Sequence, residues 1–435
     1  MTQIIAIVGR PNVGKSTLFN RLSRSRDALV DDQPGITRDR LYASINWVNA
    51  ELTLIDTGGF DGSDHEPLLE KVRGQVIKAI DEADIIIFMV DGPQGLMPGD
   101  QEIANLLRRY PKKVYLAVNK IDGPEHDHMV FDFYSMGLDR VYPLSAAHGY
   151  GLKSLMEAIV NELPESQPEQ WESNQIRVAV LGRPNAGKSS LINRILGFDR
   201  LLVSELPGTT RDSVDTLFTW KGKEYLIIDT AGIRRKSRVR EKIEKFSMIQ
   251  ALRSLARCHI AVILLDAEEG IADQDARICG YAFERGRGLV LAVNKWDLVK
   301  GDHEKKRLLD AAFERKLKFL SFAPRINLSA LTGEGVNKIL EKTYQIYEQF
   351  CHRVNTGEVN RAIEDMVHRH PLPQPQRGSL KLFFGTQTGI KPPTFVIFSN
   401  RPEAVHFSYR RFVVNQLRER FGLKHTPIRV IYRKK

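Results

Sequence analysis

Cysteine is scarce: Cys258, Cys279 and Cys351 are the only three in 435 residues. An odd, widely spaced set builds neither a disulfide framework nor a thiolate metal site. They read as idle or buried thiols of a reducing cytoplasm. No run of eighteen apolar residues occurs, which excludes a membrane-spanning helix. No charged leader with a cleavage site precedes the first strand pattern, so no secretory signal is expected. Surplus charge of one sign is also missing from most of the chain. Residues 352–435 hold 16 Lys and Arg against 5 Asp and Glu, a surplus of 11 that equals the net charge of the whole chain. A small segment of that sign suggests a polyanionic partner, most simply nucleic acid.

What the chain does have is a motif series written twice. Gly9-Arg10-Pro11-Asn12-Val13-Gly14-Lys15-Ser16-Thr17 follows the apolar run Ile4–Val8. Gly182-Arg183-Pro184-Asn185-Ala186-Gly187-Lys188-Ser189-Ser190 follows Val178–Leu181. An apolar strand, a glycine-bounded turn and Lys-Ser opening a helix make the phosphate-binding loop. Its glycines let the backbone turn tightly and approach an anion, which its N–H groups and the helix N-terminus then face. Lys15 and Lys188 would reach the β- and γ-phosphates; Ser16 and Ser189 would bind Mg²⁺.

Each loop is followed by the same further motifs. The first copy reads Thr37, Asp56-Thr57-Gly58-Gly59, Asn119-Lys120-Ile121-Asp122 and Ser145-Ala146. The second reads Thr210, Asp229-Thr230-Ala231-Gly232, Asn294-Lys295-Trp296-Asp297 and Ser329-Ala330. Lys15/Lys188, Thr37/Thr210 and Asp56/Asp229 are all 173 apart; the offset grows to 175 at Asn119/Asn294 and 184 at Ser145/Ser329. The extra residues of the second copy therefore fall chiefly between Asp297 and Ser329. Strand and helix patterns alternate through both copies, which predicts α/β domains with mostly parallel sheets.

The motifs specify the ligand. A phosphate loop alone serves kinases, ATPases and GTPases. Asp56 and Asp229 end strands beside the phosphates, where a carboxylate can hold the Mg²⁺ shell, and Thr37 and Thr210 lie in loops that could close over Mg²⁺ and γ-phosphate. Gly59 and Gly232 leave room for a backbone N–H at the γ-phosphate. Asn-Lys-x-Asp reads guanine, because Asp122 or Asp297 can accept from two adjacent ring donors that adenine lacks. Asn119 and Asn294 would buttress that loop, the Lys120 and Lys295 stems cover the ring face, and the N–H groups of Ala146 and Ala330 approach the exocyclic oxygen. A small-molecule kinase gives no reason for two such loops.

These residues resemble the translation-factor-related GTPases, and the arrangement is similar to the Der (EngA) family of tandem-GTPase ribosome-assembly factors. The resemblance rests on two G domains, the run Gly232-Ile233-Arg234-Arg235-Lys236 and a C-terminal segment containing His406-Phe407-Ser408-Tyr409-Arg410-Arg411. It implies a first G domain at 1–163, a linker at 164–175, a second G domain at 176–351, and a small basic α+β domain of KH-like fold at 352–435. It also implies a GTP/GDP switch and a partner in the large ribosomal subunit or its precursor, with a monomer away from the ribosome.

The water-orienting glutamine that many GTPases carry is absent here; Phe60 and Ile233 stand in its place. Related GTPases with an asparagine in the phosphate loop coordinate a monovalent cation there, usually K⁺. The resemblance thus implies K⁺ at Asn12 and Asn185, with Lys15, Thr37 and Gly59, and Lys188, Thr210 and Gly232, as the other residues at the reacting phosphate. Arg234–Arg240 forms a basic run in one switch, readable as a solvated face or a nucleotide-gated phosphate grip. In the last segment, Arg410, Arg411, Arg418 and Arg420 are expected on one helix with Val405, Phe412, Val413 and Leu417 as its apolar positions. Phe407, Tyr409 and Phe412 read as core. No GxxG pair occurs there, so phosphate and shape contacts or protein docking suit this segment better than base reading.

Overall fold

The computed structural model describes residues 3–23, 42–47, 50–56, 77, 80, 83–138, 140–163, 175–197, 203–207, 214–230, 248–372 and 379–435. The chain divides into two compact units, Met1–Gln170 and Trp171–Lys435.

The first unit is one six-stranded sheet with helices. Its strands are β1 (Gln3–Val8), β2 (Tyr42–Trp47), β3 (Ala50–Asp56), β4 (Ile85–Asp91), β5 (Lys113–Asn119) and β6 (Val141–Pro143), in the order β2-β3-β1-β4-β5-β6. All pairs are parallel except β2 with β3. β4, Ile-Ile-Ile-Phe-Met-Val-Asp, is buried along its whole length. A strand covered on both faces by helices tolerates no polar alternation. Helix α1 (Lys15–Ser23) sends Leu18, Phe19 and Leu22 into this core, and α3 (Leu152–Asn161), after α2 (Pro98–Leu107), adds Leu155, Met156 and Ile159.

The second unit repeats this plan and adds to it. β7 (Ile176–Gly182), β9 (Val214–Trp220), β10 (Lys223–Ile228), β11 (Ile260–Asp266), β12 (Gly288–Asn294) and β13 (Arg325–Asn327) occupy equivalent places. An unanticipated edge strand, β8 (Val203–Pro207), pairs antiparallel with β9. Helices α4 (Lys188–Leu196), α5 (Met248–Arg257), α6 (Asp273–Glu284), α7 (His303–Lys316) and α8 (Val336–Phe350) cover the sheet. The inserted residues after Asp297 form α7, capped by Asp302, whose side chain accepts from Glu304 N at 3.0 Å and Lys305 N at 2.9 Å. The first unit has a 3₁₀ stretch, Pro124–Met136, between its corresponding strands β5 and β6.

The remainder is a three-stranded sheet, β14 (Leu382–Gly389), β15 (Thr394–Ser399) and β16 (Arg429–Lys434), packed on α9 (Thr356–Arg369) and α10 (Phe407–Arg420). The helix expected to include Val405 begins at Phe407. Val405 precedes it, yet is buried in the same core as Tyr409, Val413 and Leu417. Phe407, expected in the core, is 50% exposed. Arg418 and Arg410 are held inside the unit. The Arg418 guanidinium lies 4.8 Å from the Phe322 ring centre, and Arg410 lies 4.9 Å from that of Tyr432 while donating to Val405 O and Pro402 O.

This small sheet is seated against the larger one. Lys391 N donates to Phe350 O at 3.0 Å and its ammonium to the Tyr347 hydroxyl at 2.9 Å. His425 N donates to Gln349 Oε1 at 2.8 Å, and Arg429 to Glu284 O at 3.1 Å. All these partners lie at the amino-terminal ends of the strands of the larger sheet. Cys258 and Cys279 are buried, and burial pushes the Cys258 thiol up to about 11. Among the described residues no helix is long and apolar enough to cross a membrane.

Candidate functional site

In each large sheet the phosphate loop leaves the central strand (β1 or β7), at the carboxyl ends of the parallel strands where open α/β sheets bind ligands. The loop backbone is tightly constrained. A Cβ on Gly9 would lie 2.3 Å from Met89 O, and one on Gly182 2.6 Å from Leu264 O. Asn12 (φ 67°) and Asn185 (φ 62°) sit at the loop tips in the left-handed region, with exposed side chains beside Pro11 and Pro184. Lys15 Nζ donates to Gly9 O at 3.0 Å and Arg10 O at 2.8 Å; Lys188 Nζ donates to Gly182 O at 3.1 Å and Arg183 O at 2.7 Å. Each ammonium is thus folded over its own loop, at the concave side where an anion would lie. Burial lowers the pKa of Lys15, and the Asp56 carboxylate partly opposes that shift.

Ser16 Oγ donates to Asp56 Oδ2 at 2.7 Å, which joins the hydroxyl and carboxylate expected to share Mg²⁺. An alcohol and a carboxylate oxygen, with phosphate oxygens completing the shell, suit a hard cation. The second copy differs. Asp229 follows β10 with φ 60°, accepts at Oδ2 from Gln250 Nε2 at 2.7 Å, and donates its N–H to Asp215 Oδ1 at 3.0 Å. The neighbouring Thr230 is buried, its hydroxyl 2.9 Å from that of Thr216.

The two Asn-Lys-x-Asp loops are built alike. Asn119 Nδ2 donates to Val13 O at 2.7 Å while its Oδ1 accepts from Ala146 N at 2.8 Å. Asn294 ties Ala186 O and Ala330 N in the same way, at 2.7 and 2.9 Å. One buried amide therefore holds three loops in register. A Cβ on Gly14 would come within 2.2 Å of Asn119 Nδ2, and one on Gly187 within 2.1 Å of Asn294 Nδ2, so the amides need glycine opposite them. Ser145 Oγ donates to Asp122 Oδ1 at 2.6 Å and fixes that carboxylate; Ser329 Oγ accepts from Thr332 N at 3.1 Å. Asp297 is the middle residue of a one-turn 3₁₀ segment, Trp296–Leu298.

Several supporting residues have no motif of their own in the sequence. Lys120 pairs with buried Asp91, and Lys295 lies 2.6 Å from Asp266, a hydrogen bond that raises its pKa. Both lysines have positive φ (68° and 58°). Arg21 donates to the carbonyls of Ala146 and Ala147, and Arg194 to those of Ala330 and Leu331. The repetition of each device in both copies was the signal available for finding them. Thr17 and Ser190 are exposed in the first turns of α1 and α4. Thr37, Thr57, Gly58, Gly59, Phe60, Thr210, Ala231, Gly232, Ile233, the run 234–240 and linker residues 164–174 lie outside the described residues.

Fold and site define a P-loop GTPase carried twice in one chain. A family model described as a 50S ribosome-binding GTPase matches residues 4–120 and again 177–295, and one described as the KH-domain-like C-terminal region of EngA bacterial GTPase enzymes matches 353–433. The chain is 51% identical to a GTPase Der of Syntrophobacter fumaroxidans, covering 99% of this chain and 98% of that protein. It is 47% identical to a GTPase Der of Geotalea daltonii, covering 100% and 98%. Among solved structures, Era of Aquifex aeolicus bound to GDP and aluminium fluoride aligns at 22% identity and a TM-score of 0.32, covering 64% of this chain and 99% of that one. The chain belongs to the Der (EngA) family of GTPases, and its reaction is the hydrolysis of GTP.

Proposed function

We propose that the two GTPase sites, within 1–163 and 176–351, switch the chain on and off the large ribosomal subunit or its precursor during assembly in the cytoplasm. The observation that carries this is the pairing of two guanine sites with the surplus of 11 positive charges in 352–435. The description of the matching family model as 50S ribosome-binding supports it. Lys15 and Lys188 would orient and neutralise the β- and γ-phosphates; Ser16 with Asp56, and Ser189 with Asp229, would hold Mg²⁺. Thr37 and Thr210 would close over the γ-phosphate, and Gly59 and Gly232 would offer N–H groups to it. When bound, Mg²⁺ would supply positive charge to the phosphate oxygens. Asn12 and Asn185 place amide oxygens at the exposed loop tips, where K⁺ would add charge in place of an arginine finger.

Sedimentation with large ribosomal subunits under a non-hydrolysable GTP analogue, GDP and no nucleotide tests the switch. Nucleotide-dependent pelleting is expected; equal pelleting in all three removes it. Turnover in KCl against NaCl at equal ionic strength tests the ion. Stimulation by K⁺ that Asn12→Ala and Asn185→Ala each reduce is expected, and equal rates in the two salts reject it.

A further inference from the structure

The small sheet carries an aromatic patch that neither GTPase site uses. A β-bulge between Leu382 and Phe384 breaks the alternation of β14, and the adjacent Phe383 and Phe384 are 40% and 38% exposed. Gly385 next to them faces the core, where a Cβ would lie 2.6 Å from Ile363 Cδ1. The register places Phe384 opposite Phe398, and Phe398 opposite Arg433. The Phe384 and Phe398 rings are stacked with centres 4.5 Å apart, and the Lys435 ammonium sits 4.9 Å from the Phe383 ring centre. Arg433, Lys434 and Lys435 are exposed. The contacts with the larger sheet are made at the other end of these strands, by Lys391 and Arg429.

We propose that this end of the sheet is a stacking site for the bases of single-stranded RNA, an inference that rests on the ribosomal reading above. Flat rings in a row beside a cluster of cations match a strand that offers π-faces and phosphates together. A duplex hides its base faces, and an acidic peptide would meet the cations while leaving the rings unused. The site reads stacking and phosphate spacing without the GxxG loop, which the segment lacks.

The test uses the full-length chain with GDP and a fluorescein-labelled ten-nucleotide oligouridine, followed by anisotropy. A duplex RNA and an oligoglutamate peptide are the controls. Phe383→Ala/Phe384→Ala is expected to weaken oligouridine binding at least tenfold, and Phe383→Tyr/Phe384→Tyr to retain it. Arg433→Gln/Lys435→Gln should lower the slope of log affinity against log salt by about 1.4, or about 0.7 for each lost phosphate contact. Unchanged binding by the alanine variant, or preference for the duplex or the peptide, overturns the proposal. Cosedimentation of the same proteins with large subunits separates the two readings. A wild-type chain that pellets while the alanine variant binds oligouridine unchanged rejects the patch alone. A wild-type chain that binds oligouridine through the patch without pelleting rejects the ribosomal reading alone.

Discussion

Arg10 Nε lies 2.7 Å from Oδ1 of Asp100, a carboxylate with no exposed surface, and Arg183 Nε reaches the equally buried Asp275 at 2.9 Å. Each carboxylate also accepts the N–H at the start of its own helix, from Met97 and Ala272. The second residue of each phosphate loop is thereby pinned to the helix that follows the neighbouring strand. Removing one partner of a buried pair leaves the other charge uncompensated, at about 3–5 kcal/mol. Arg183→Ala, which strands the buried Asp275, should destabilise by about that much. Asp275→Ala should cost less, because Arg183 keeps Glu269 Oε2 at 2.9 Å and Gly270 O at 2.8 Å. Arg183→Met/Asp275→Leu should be less destabilised than Arg183→Ala. Urea unfolding of the four proteins reads the comparison. Additive losses would show that the two side chains act independently.

The amide bridge makes a sharper prediction for nucleotide affinity. Asn294→Ala deletes two hydrogen bonds that join the phosphate loop to the loop at Ala330. A loss of about 2–3 kcal/mol, roughly 30- to 150-fold in GDP affinity, is expected at that site. Gly187→Ala should match it, because its new Cβ would collide with the same amide. Titration with a fluorescent GDP analogue in an Asn119→Ala background isolates the second site.

Guanine selection should be transferable. Asp122→Asn and Asp297→Asn replace an acceptor by an amide that can donate to the carbonyl of xanthine. Each is expected to weaken GTP by at least about 100-fold, or about 2.7 kcal/mol, and to gain affinity for xanthosine triphosphate at the altered site. Competition binding with both nucleotides measures it, and retained GTP affinity would remove these carboxylates from base recognition.

His259 links stability to pH. Burial, helped by the positive charges of Lys391, Arg177 and Arg287, lowers its pKa from 6.5 to about 3. The unfolded chain therefore binds a proton that the folded chain does not between those two values. Stability falls as pH drops through that window, by about 1.4 kcal/mol for each pH unit. His259→Gln keeps an acceptor for Arg177 N and should flatten this part of the profile. Thermal melts of both proteins at pH 7, 6 and 5 compare the slopes.

The phosphate and Asn-Lys-x-Asp loops were legible as loops in the sequence because the chemistry expected of them restricts residue type at short range. A backbone that turns over an anion needs glycine, and a guanine reader needs a carboxylate at fixed spacing. Asp100 was hidden because its partner lies 90 positions away and because an acidic residue in a first helical turn has an ordinary reading. Arg418 looked like a surface cation in a basic helix; only packing against Phe322 shows that it is held within the unit. The Phe383–Phe384 patch was invisible for a different reason. Two adjacent phenylalanines in a strand predict one facing in and one out, and the bulge that cancels this leaves no local mark in the chain.

Within the second unit, the small sheet is attached at the amino ends of the strands whose carboxyl ends carry the phosphate and guanine loops. β12, seven residues from Gly288 to Asn294, connects the two ends over about 23 Å. A ligand at the exposed end of the small sheet and a nucleotide at the phosphate loop would therefore be kept apart by the length of the larger sheet.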